Sequence, residues 1–314
     1  MESSKIRAII TIICLVLSLV VLINVSYMGV KVATTPVSES PLYGQYDIEY
    51  MNIFISDSSP LPPPSPAQRR TQRLPQCLII GARKGGTRAL LDALALHPQI
   101  RVARREVHFF NNNETYAKGI EWYRLQMPYT HAEQRAYRMN SSMKLILIIR
   151  DPVIRTISDF TQVMYTKQER NKTKPEFEKE AFLNDGLTID IEYKPVRNSL
   201  YILHLKRWLN YFPLKNFLII DGDRFIIDPI HELRKVERFL QIPNAIDEDQ
   251  MIFNERKGFY CFRRKDRRNA KCLGNTKGRP HANISLESQI KLRRNFHPYN
   301  VDFFRTTNQW WNWE

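Results

Sequence analysis

Short apolar runs alternate with amphipathic stretches along most of the chain. The runs, which are typical of strands buried on both faces of a parallel sheet, occupy residues 77–80, 145–149 and 217–221. The stretches, whose apolar residues recur every three or four positions and predict helices, occupy residues 87–96, 152–165, 196–211 and 229–240. This order predicts an α/β domain with a central, mainly parallel sheet flanked by helices. Ligands of such a sheet bind at the carboxyl ends of the strands.

The amino-terminal part has a different pattern. Residues 8–28 are almost entirely apolar, and Lys5 and Arg7 precede them. A run of about 20 apolar residues matches the thickness of a bilayer, and the basic flank favours a cytosolic tail at residues 1–7. We therefore predict a signal-anchor transmembrane helix at 8–28, with a cleaved signal peptide as the alternative. Residues 29–73, which include a proline-rich segment, predict a stem, and residues 74–314 a single lumenal domain.

The composition limits the kinds of partner and the cellular compartment that we expect for the protein. The formal net charge of +15 predicts an acidic partner, which could be nucleic acid, an anionic membrane or a polyanionic sugar. A lumenal location disfavours nucleic acid. Cys261 and Cys272 flank a short basic loop and are a disulfide candidate in an oxidising compartment. Tripeptides for N-glycosylation begin at Asn113, Asn140, Asn171 and Asn283.

The most informative segment is the glycine-rich turn Gly81-Ala82-Arg83-Lys84-Gly85-Gly86-Thr87-Arg88 between the first strand and the first helix. Such a turn directs backbone N–H groups and a helix N-terminus at one place, which favours a phosphate-type anion. Arg83, Lys84 and Arg88 are expected to add three positive charges there. Because the turn lacks the Gly-Lys-Ser/Thr ending whose hydroxyl holds magnesium in Walker A sequences, we expect a metal-free site. A merely structural turn is the alternative.

Two further pairs could carry chemistry. Arg150 follows the second strand and Ser158 lies on the next helix, so together they could bind a second phosphate by charge-assisted hydrogen bonds. Glu106 and His108 lie in a short segment that we expect to be extended, which places both side chains on one side. A carboxylate beside an imidazole can serve as a base. An ordinary surface pair is the alternative.

Taken together, these motifs resemble the sulfotransferases that use 3′-phosphoadenosine 5′-phosphosulfate (PAPS), and among them the heparan sulfate glucosamine 3-O-sulfotransferases. The resemblance runs from about Leu74 to the end of the chain. It rests on GARKGGTRALLDALALHP, on the IDGDR sequence at residues 220–224, and on KGFYC with the later KGRPH; KGIEWYR and NKTKPEFEK look most like the type-5 branch.

The resemblance implies a P-loop-like sulfotransferase fold and a division of roles. Lys84, Gly85, Gly86, Thr87 and Arg88 would hold the 5′-phosphosulfate, and Arg150 with Ser158 the 3′-phosphate. The donor would be closed over by Tyr260 and by the segment Lys277, Gly278, Arg279, Pro280 and His281. Glu106 would remove the proton from the glucosamine 3-hydroxyl with help from His108, and Lys84 would stabilise the departing phosphate oxygen. Arg104, Arg105, Lys167 and Arg263 would be contacts for heparan sulfate, and the enzyme would be a single-pass Golgi membrane glycoprotein.

The chain departs from the family pattern at two places. Asn111 stands where the family usually has aspartate, which removes a negative charge beside the proposed base. The family's Glu-Lys-Ser/Thr-Pro-Ala-Tyr-Phe stretch, which lines the acceptor cleft, is missing after Gln134. We therefore expect PAPS binding to be retained more readily than sulfuryl transfer.

Two alternatives to a sulfotransferase remain from the sequence. One is a catalytically impaired membrane protein that binds PAPS or glycosaminoglycan without turnover. The other is a metal-dependent glycosyltransferase, because Asp221 and Asp223 could form an acidic pair for a divalent cation. The basic segment 257–279, closed by the candidate disulfide, is expected to lie over the site, with a solvated surface loop as the alternative.

Overall fold

A five-stranded sheet forms the centre of the computed structural model, which describes residues 51–55, 71–130, 143–274 and 277–313. The strands are β1 (Met51–Ile55), β2 (Thr71–Gln72), β3 (Cys77–Gly81), β4 (Ile100–Val102), β5 (Tyr129–Thr130), β6 (Lys144–Ile149), β7 (Phe217–Asp221), β8 (Met251–Asn254) and β9 (Phe259–Phe262). The helices are α1 (Thr87–Leu94), α2 (Asn113–Tyr116), α3 (Gly119–Leu125), α4 (Pro152–Glu169), α5 (Phe177–Ala181), α6 (Lys194–Arg197), α7 (Tyr201–Leu209), α8 (Gly222–Ile227), α9 (Pro229–Leu240) and α10 (Leu286–Thr307).

The central sheet has the order β4-β1-β3-β6-β7. β3, β6 and β7 are parallel neighbours, whereas β1 is antiparallel to both β3 and β4. Four of the five strands therefore point the same way. β8 and β9 form a separate antiparallel hairpin, and β2 pairs with β5. The α/β fold with a mainly parallel sheet and flanking helices is confirmed.

Both faces of the sheet are covered by helices. Successive residues of β3, β6 and β7 alternate between two apolar clusters, because side chains of a strand point to opposite faces in turn. The cluster packed with α1 and α9 contains Ile79, Ile146, Ile148 and Ile220. The cluster packed with α7 and α10 contains Leu78, Leu145, Leu147 and Ile219. Because the strands are buried on both faces of the sheet, almost all of their residues are apolar.

Most predicted elements agree closely with the structure. The strand at 217–221 and the helix at 229–240 have the predicted bounds, and the other two predicted strands each gain one residue. The helix predicted over 87–96 ends at Leu94, and α4 continues past the predicted residue 165 to Glu169.

The single helix predicted over 196–211 is wrong, because the chain forms α6 and α7 with a break at Ser199. Leu200 has φ −83° and ψ 65°, which is not helical. The buried Ser199 hydroxyl bonds instead to the Pro152 carbonyl and receives the Arg155 Nε–H. These partners lie on α4, so the break serves packing between helices that a local pattern does not record.

The segment predicted as a stem, residues 29–73, contains β1 and β2. The sheet therefore includes residues before the predicted domain boundary at Leu74. The predicted anchor at 8–28 lies outside the described residues. Within the described ranges, no helix has both the length and the apolar character of a membrane span.

Candidate functional site

The glycine-rich turn lies directly against the end of β6. The Ala82 N–H donates to the Ile148 carbonyl over 2.7 Å, and a Cβ added at Gly85 would lie only 2.4 Å from that same oxygen. Lys84 and Gly86 have left-handed backbones, with φ 65° and 117°. Gly86 then precedes α1 as its N-cap residue. Glycine is required at the close approach, and the turn presents the helix N-terminus at the carboxyl edge of the sheet.

A pocket of about 260 Å³ opens in front of this turn. It brings together most of the residues expected to bind the donor. Those in its lining are Lys84, Gly86, Thr87, Arg88, Arg150, Ser158, Tyr260, Lys277, Gly278, Arg279 and His281. Two expected residues, Gly85 and Pro280, are outside the lining as the structure describes it; Gly85 faces the Ile148 carbonyl of β6 instead. The pocket is therefore rich in cations and in donors for an anionic ligand with more than one phosphate-like group.

Arg150 is held by two partners that the sequence did not single out for this role. Its Nε lies 2.6 Å from Asp223 Oδ1, and the Tyr201 hydroxyl donates to its carbonyl oxygen over 2.8 Å. The other oxygen of Asp223 accepts the Asp151 N–H, and Asp221 caps the start of α8. Both carboxylates therefore already accept hydrogen bonds from residues beside the pocket. This gives no support to the interpretation of Asp221 and Asp223 as a divalent-cation site.

The turn contributes two cations to the pocket, not the expected three. Lys84 and Arg88 line it, whereas Arg83 pairs behind the turn with the buried Asp159, Nε to Oδ1 2.8 Å. Arg88 Nε is 3.3 Å from Asp92 Oδ2, and its Nη1 donates to the Arg104 carbonyl. The expectation failed for Arg83 because its partner lies 76 positions away.

The β8–β9 hairpin and the following segment form the opposite wall. The structure joins Cys261 and Cys272 by a disulfide, and Lys257 Nζ donates to the Leu273 carbonyl over 2.9 Å. These links hold the hairpin to the segment that continues toward Lys277. The basic segment therefore lies over the pocket, as expected from the sequence.

Arg279 and His281 approach the pocket from this wall. The Arg279 guanidinium lies 4.7 Å from the centre of the Tyr165 ring and its Nη2 is 3.6 Å from Glu169 Oε1. Its Nη1 is buried and has no hydrogen-bond partner among the described residues. Burial, followed by the nearby charges of Arg150 and Lys84, lowers the pKa of His281 below 6.5. The unpartnered Nη1 of Arg279 therefore favours an anion between the two walls.

Glu106 and His108 lie together but outside the lining of this pocket as described. His108 Nε2 is 3.5 Å from Glu106 Oε2, so the predicted pairing holds, although the extended segment does not. His108 has φ 52° and begins a turn. Asn111 Nδ2 approaches His108 Nδ1 at 3.3 Å. The bond from Arg88 to Arg104 ties this segment to the glycine-rich turn.

The other predicted residues have mixed placements. Arg104 and Arg105 are exposed, whereas Lys167 pairs with Glu180 and Arg263 with Asp249. Asn113, Asn171 and Asn283 are exposed. Asn140 and the departure after Gln134 lie outside the described residues.

The comparisons agree with this architecture. A family model described as "Sulfotransferase domain" matches residues 74–297. The chain is 46% identical over 259 residues to heparan sulfate glucosamine 3-O-sulfotransferase 5 of Mus musculus, and equally to that of Homo sapiens, covering 77% of this chain and 75% of each relative. Heparan sulfate glucosamine 3-O-sulfotransferase 3B1 of Mus musculus is 37% identical over 78% of this chain and 66% of its own length.

A more distant likeness is to the solved structure of a sulfotransferase from Alicyclobacillus acidocaldarius. It is 15% identical, with a TM-score of 0.47, and covers 75% of this chain and 96% of that one. This likeness is too weak to add to the assignment. The family match and the close relatives place the chain in the sulfotransferase family, among the heparan sulfate glucosamine 3-O-sulfotransferases.

Proposed function

We propose that the protein transfers a sulfuryl group from PAPS to the 3-hydroxyl of glucosamine residues in heparan sulfate. The observation that carries this proposal is the convergence of the glycine-rich turn, Arg150 and Ser158 on one pocket. A ligand with a phosphate-like group at each end of a nucleoside would fit this arrangement. PAPS has that form, and membership of the sulfotransferase family supports it as the donor.

The two ends of the pocket would bind different groups of PAPS. The N–H groups at the start of α1, with Lys84 and Arg88, would hold the 5′-phosphosulfate. Arg150, fixed by Asp223 at 2.6 Å, would hold the 3′-phosphate with Ser158. The unpartnered Nη1 of Arg279 would donate to the donor from the opposite wall.

In the transfer, the sulfur–oxygen bond to the 5′-phosphate breaks as a new bond forms from sulfur to the acceptor oxygen. Glu106 would accept the proton of the 3-hydroxyl, with His108 Nε2 at 3.5 Å orienting the carboxylate. Lys84 would stabilise the negative charge that develops on the departing phosphate oxygen. Positioning and charge stabilisation would supply most of the rate enhancement.

The acceptor follows from the relatives, which are named for heparan sulfate glucosamine. The net charge of +15 suits a polyanionic sugar. Golgi localisation, the anchor at residues 8–28 and glycosylation at exposed Asn113, Asn171 and Asn283 belong to the same proposal. The apolar run, its basic flank and the tripeptides support them.

The test is transfer of ³⁵S-labelled sulfate from PAPS to heparan sulfate by the full chain. The Glu106→Gln change should lower the rate by about 100-fold or more, with binding of the product adenosine 3′,5′-bisphosphate (PAP) unchanged. Glu114→Gln, at an exposed carboxylate of α2, is the matched control and should keep the wild-type rate. If the wild-type chain and the Glu106→Gln variant bind PAP but show the same background rate, the chain is a binding protein without turnover.

A further inference from the structure

A buried cluster of charges lies behind the glycine-rich turn. It contains Arg83, Arg155 and Asp159. Arg155 is fully buried and Asp159 is 2% exposed. Asp159 Oδ1 is 2.8 Å from Arg83 Nε, and its Oδ2 is 3.0 Å from Arg155 Nη1. One carboxylate is thus shared by two guanidinium groups, one from the turn and one from α4.

The cluster is also hydrogen-bonded to the backbone of the turn. Arg155 Nη1 donates to the Arg83 carbonyl oxygen over 3.0 Å. The rest of its guanidinium is fixed by the Ser199 hydroxyl and the Pro195 carbonyl. Arg83 is therefore held through both its side chain and its main chain, and the next residue is Lys84.

The same helix reaches the other end of the pocket. α4 begins beside Arg150 and carries Ser158, which lines the pocket one position before Asp159. α4 is continuous from Pro152 to Glu169, so its hydrogen-bonded geometry fixes Arg155, Ser158 and Asp159 relative to one another. The cluster therefore ties the residues expected at the 5′-phosphosulfate to those expected at the 3′-phosphate.

Asp159 is charged under working conditions. Burial opposes its ionisation, but the charges and hydrogen bonds of Arg155 and Arg83 outweigh burial and hold its pKa below 3.8. A buried ion cluster is a weak source of net stability, because desolvation offsets much of the attraction. A positioning role therefore explains the burial of these charges better than a contribution to net stability does.

We infer that Asp159 is a positioning residue that sets the distance between the two phosphate subsites by joining the turn at Arg83 to α4 at Arg155. This rests on the proposed function, since it assumes a donor with two phosphate-like ends. When two groups of one ligand bind subsites at the right spacing, the second binds at a high effective concentration. Loss of the spacing should remove that advantage while each subsite keeps its own affinity.

The experiment is calorimetric titration of the full chain with PAP, 5′-AMP and 3′-AMP. The variants are Asp159→Asn, which keeps the shape but removes the charge, and Arg83→Met, which leaves the Arg155–Asp159 pair intact. Asp302→Asn is the control, because it removes a carboxylate from an exposed ion pair with Lys206. Thermal unfolding of each variant confirms that it is folded, and Arg83→Met decides the matter if Asp159→Asn fails to fold.

We expect PAP to bind about tenfold more weakly to the two variants, while the affinities for 5′-AMP and 3′-AMP change by less than about twofold. The Asp302→Asn protein should match the wild type. A folded variant with unchanged PAP affinity, or with PAP and 5′-AMP weakened equally, overturns the positioning role. If the wild-type chain itself binds PAP no more tightly than 5′-AMP, the proposed donor site is wrong and the positioning role falls with it.

Discussion

Replacing Gly85 with alanine tests whether the close approach of the turn to β6 is what aligns the donor. The added Cβ would lie 2.4 Å from the Ile148 carbonyl oxygen and 2.8 Å from the Ala82 oxygen. Both are backbone atoms, so neither can rotate away as a flexible side chain could. Ordinary contact begins at 3.4 Å, so the turn must move away from β6 by about 1 Å, a displacement that can cost about 100-fold in rate.

The assay compares PAP affinity by calorimetry with kcat/KM for sulfuryl transfer. We expect kcat/KM of the Gly85→Ala variant to fall by about 100-fold, with weaker PAP binding, because Lys84 and the N-terminus of α1 move with the turn. Gly274→Ala is the matched control, since no atom of the described residues lies within 4 Å of its added Cβ, and it should keep wild-type values. A folded Gly85→Ala protein with wild-type kcat/KM would refute the reasoning.

Three further predictions concern the walls of the pocket. Arg150→Gln should weaken PAP binding by about 10- to 100-fold, as expected for a lost charge-assisted hydrogen bond, and leave 5′-AMP binding unchanged; an equal loss for both ligands would contradict the assignment of Arg150 to the 3′-phosphate. The pKa of His281 lies below 6.5 in the free protein because of burial, Arg150 and Lys84, and a bound polyanion should raise it. Near about pH 6.5, PAP binding should therefore take up more protons in the wild type than in His281→Gln, as measured by calorimetry in buffers of different ionisation enthalpy, whereas equal uptake would place His281 away from the ligand. Removal of the disulfide by Cys261→Ser with Cys272→Ser, which opens a loop of sequence separation 11, should lower the free energy of unfolding by about 3 kcal/mol in urea titration, and an unchanged value would show that the loop is ordered without it.

The sequence predicts the central strands and α9 well for a physical reason. Strands covered on both faces must be apolar throughout, so the run at Phe217–Asp221 has the same bounds in the sequence and in the structure. The break at Ser199 is different, because its hydroxyl is bonded to residues on α4 more than forty positions away. Local periodicity carries no record of such a partner.

In the candidate site, too, the features that depend on neighbouring residues in the sequence could be predicted, and those that depend on distant residues could not. The glycine-rich turn and Arg150 are recognisable because their chemistry depends on neighbours in the sequence: a strand before them and a helix after them. The direction of the Arg83 side chain cannot be recognised from the sequence, because it is set by the ion pair with Asp159 on α4. Asp223 was visible as an acidic residue, but its bond to Arg150 depends on β6 and β7 being neighbours in the sheet. Residues that line the pocket could be predicted, whereas those that hold them in place could not.

The position of the transferred sulfate tests the central claim most directly. The full chain is incubated with ³⁴S-labelled PAPS and heparan sulfate, and the digested product is analysed by mass spectrometry. We predict that the label is found on the 3-oxygen of glucosamine, and that the Glu106→Gln protein incorporates it about 100-fold more slowly. Label at another position, or no label from a wild-type chain that binds PAP, would contradict the account.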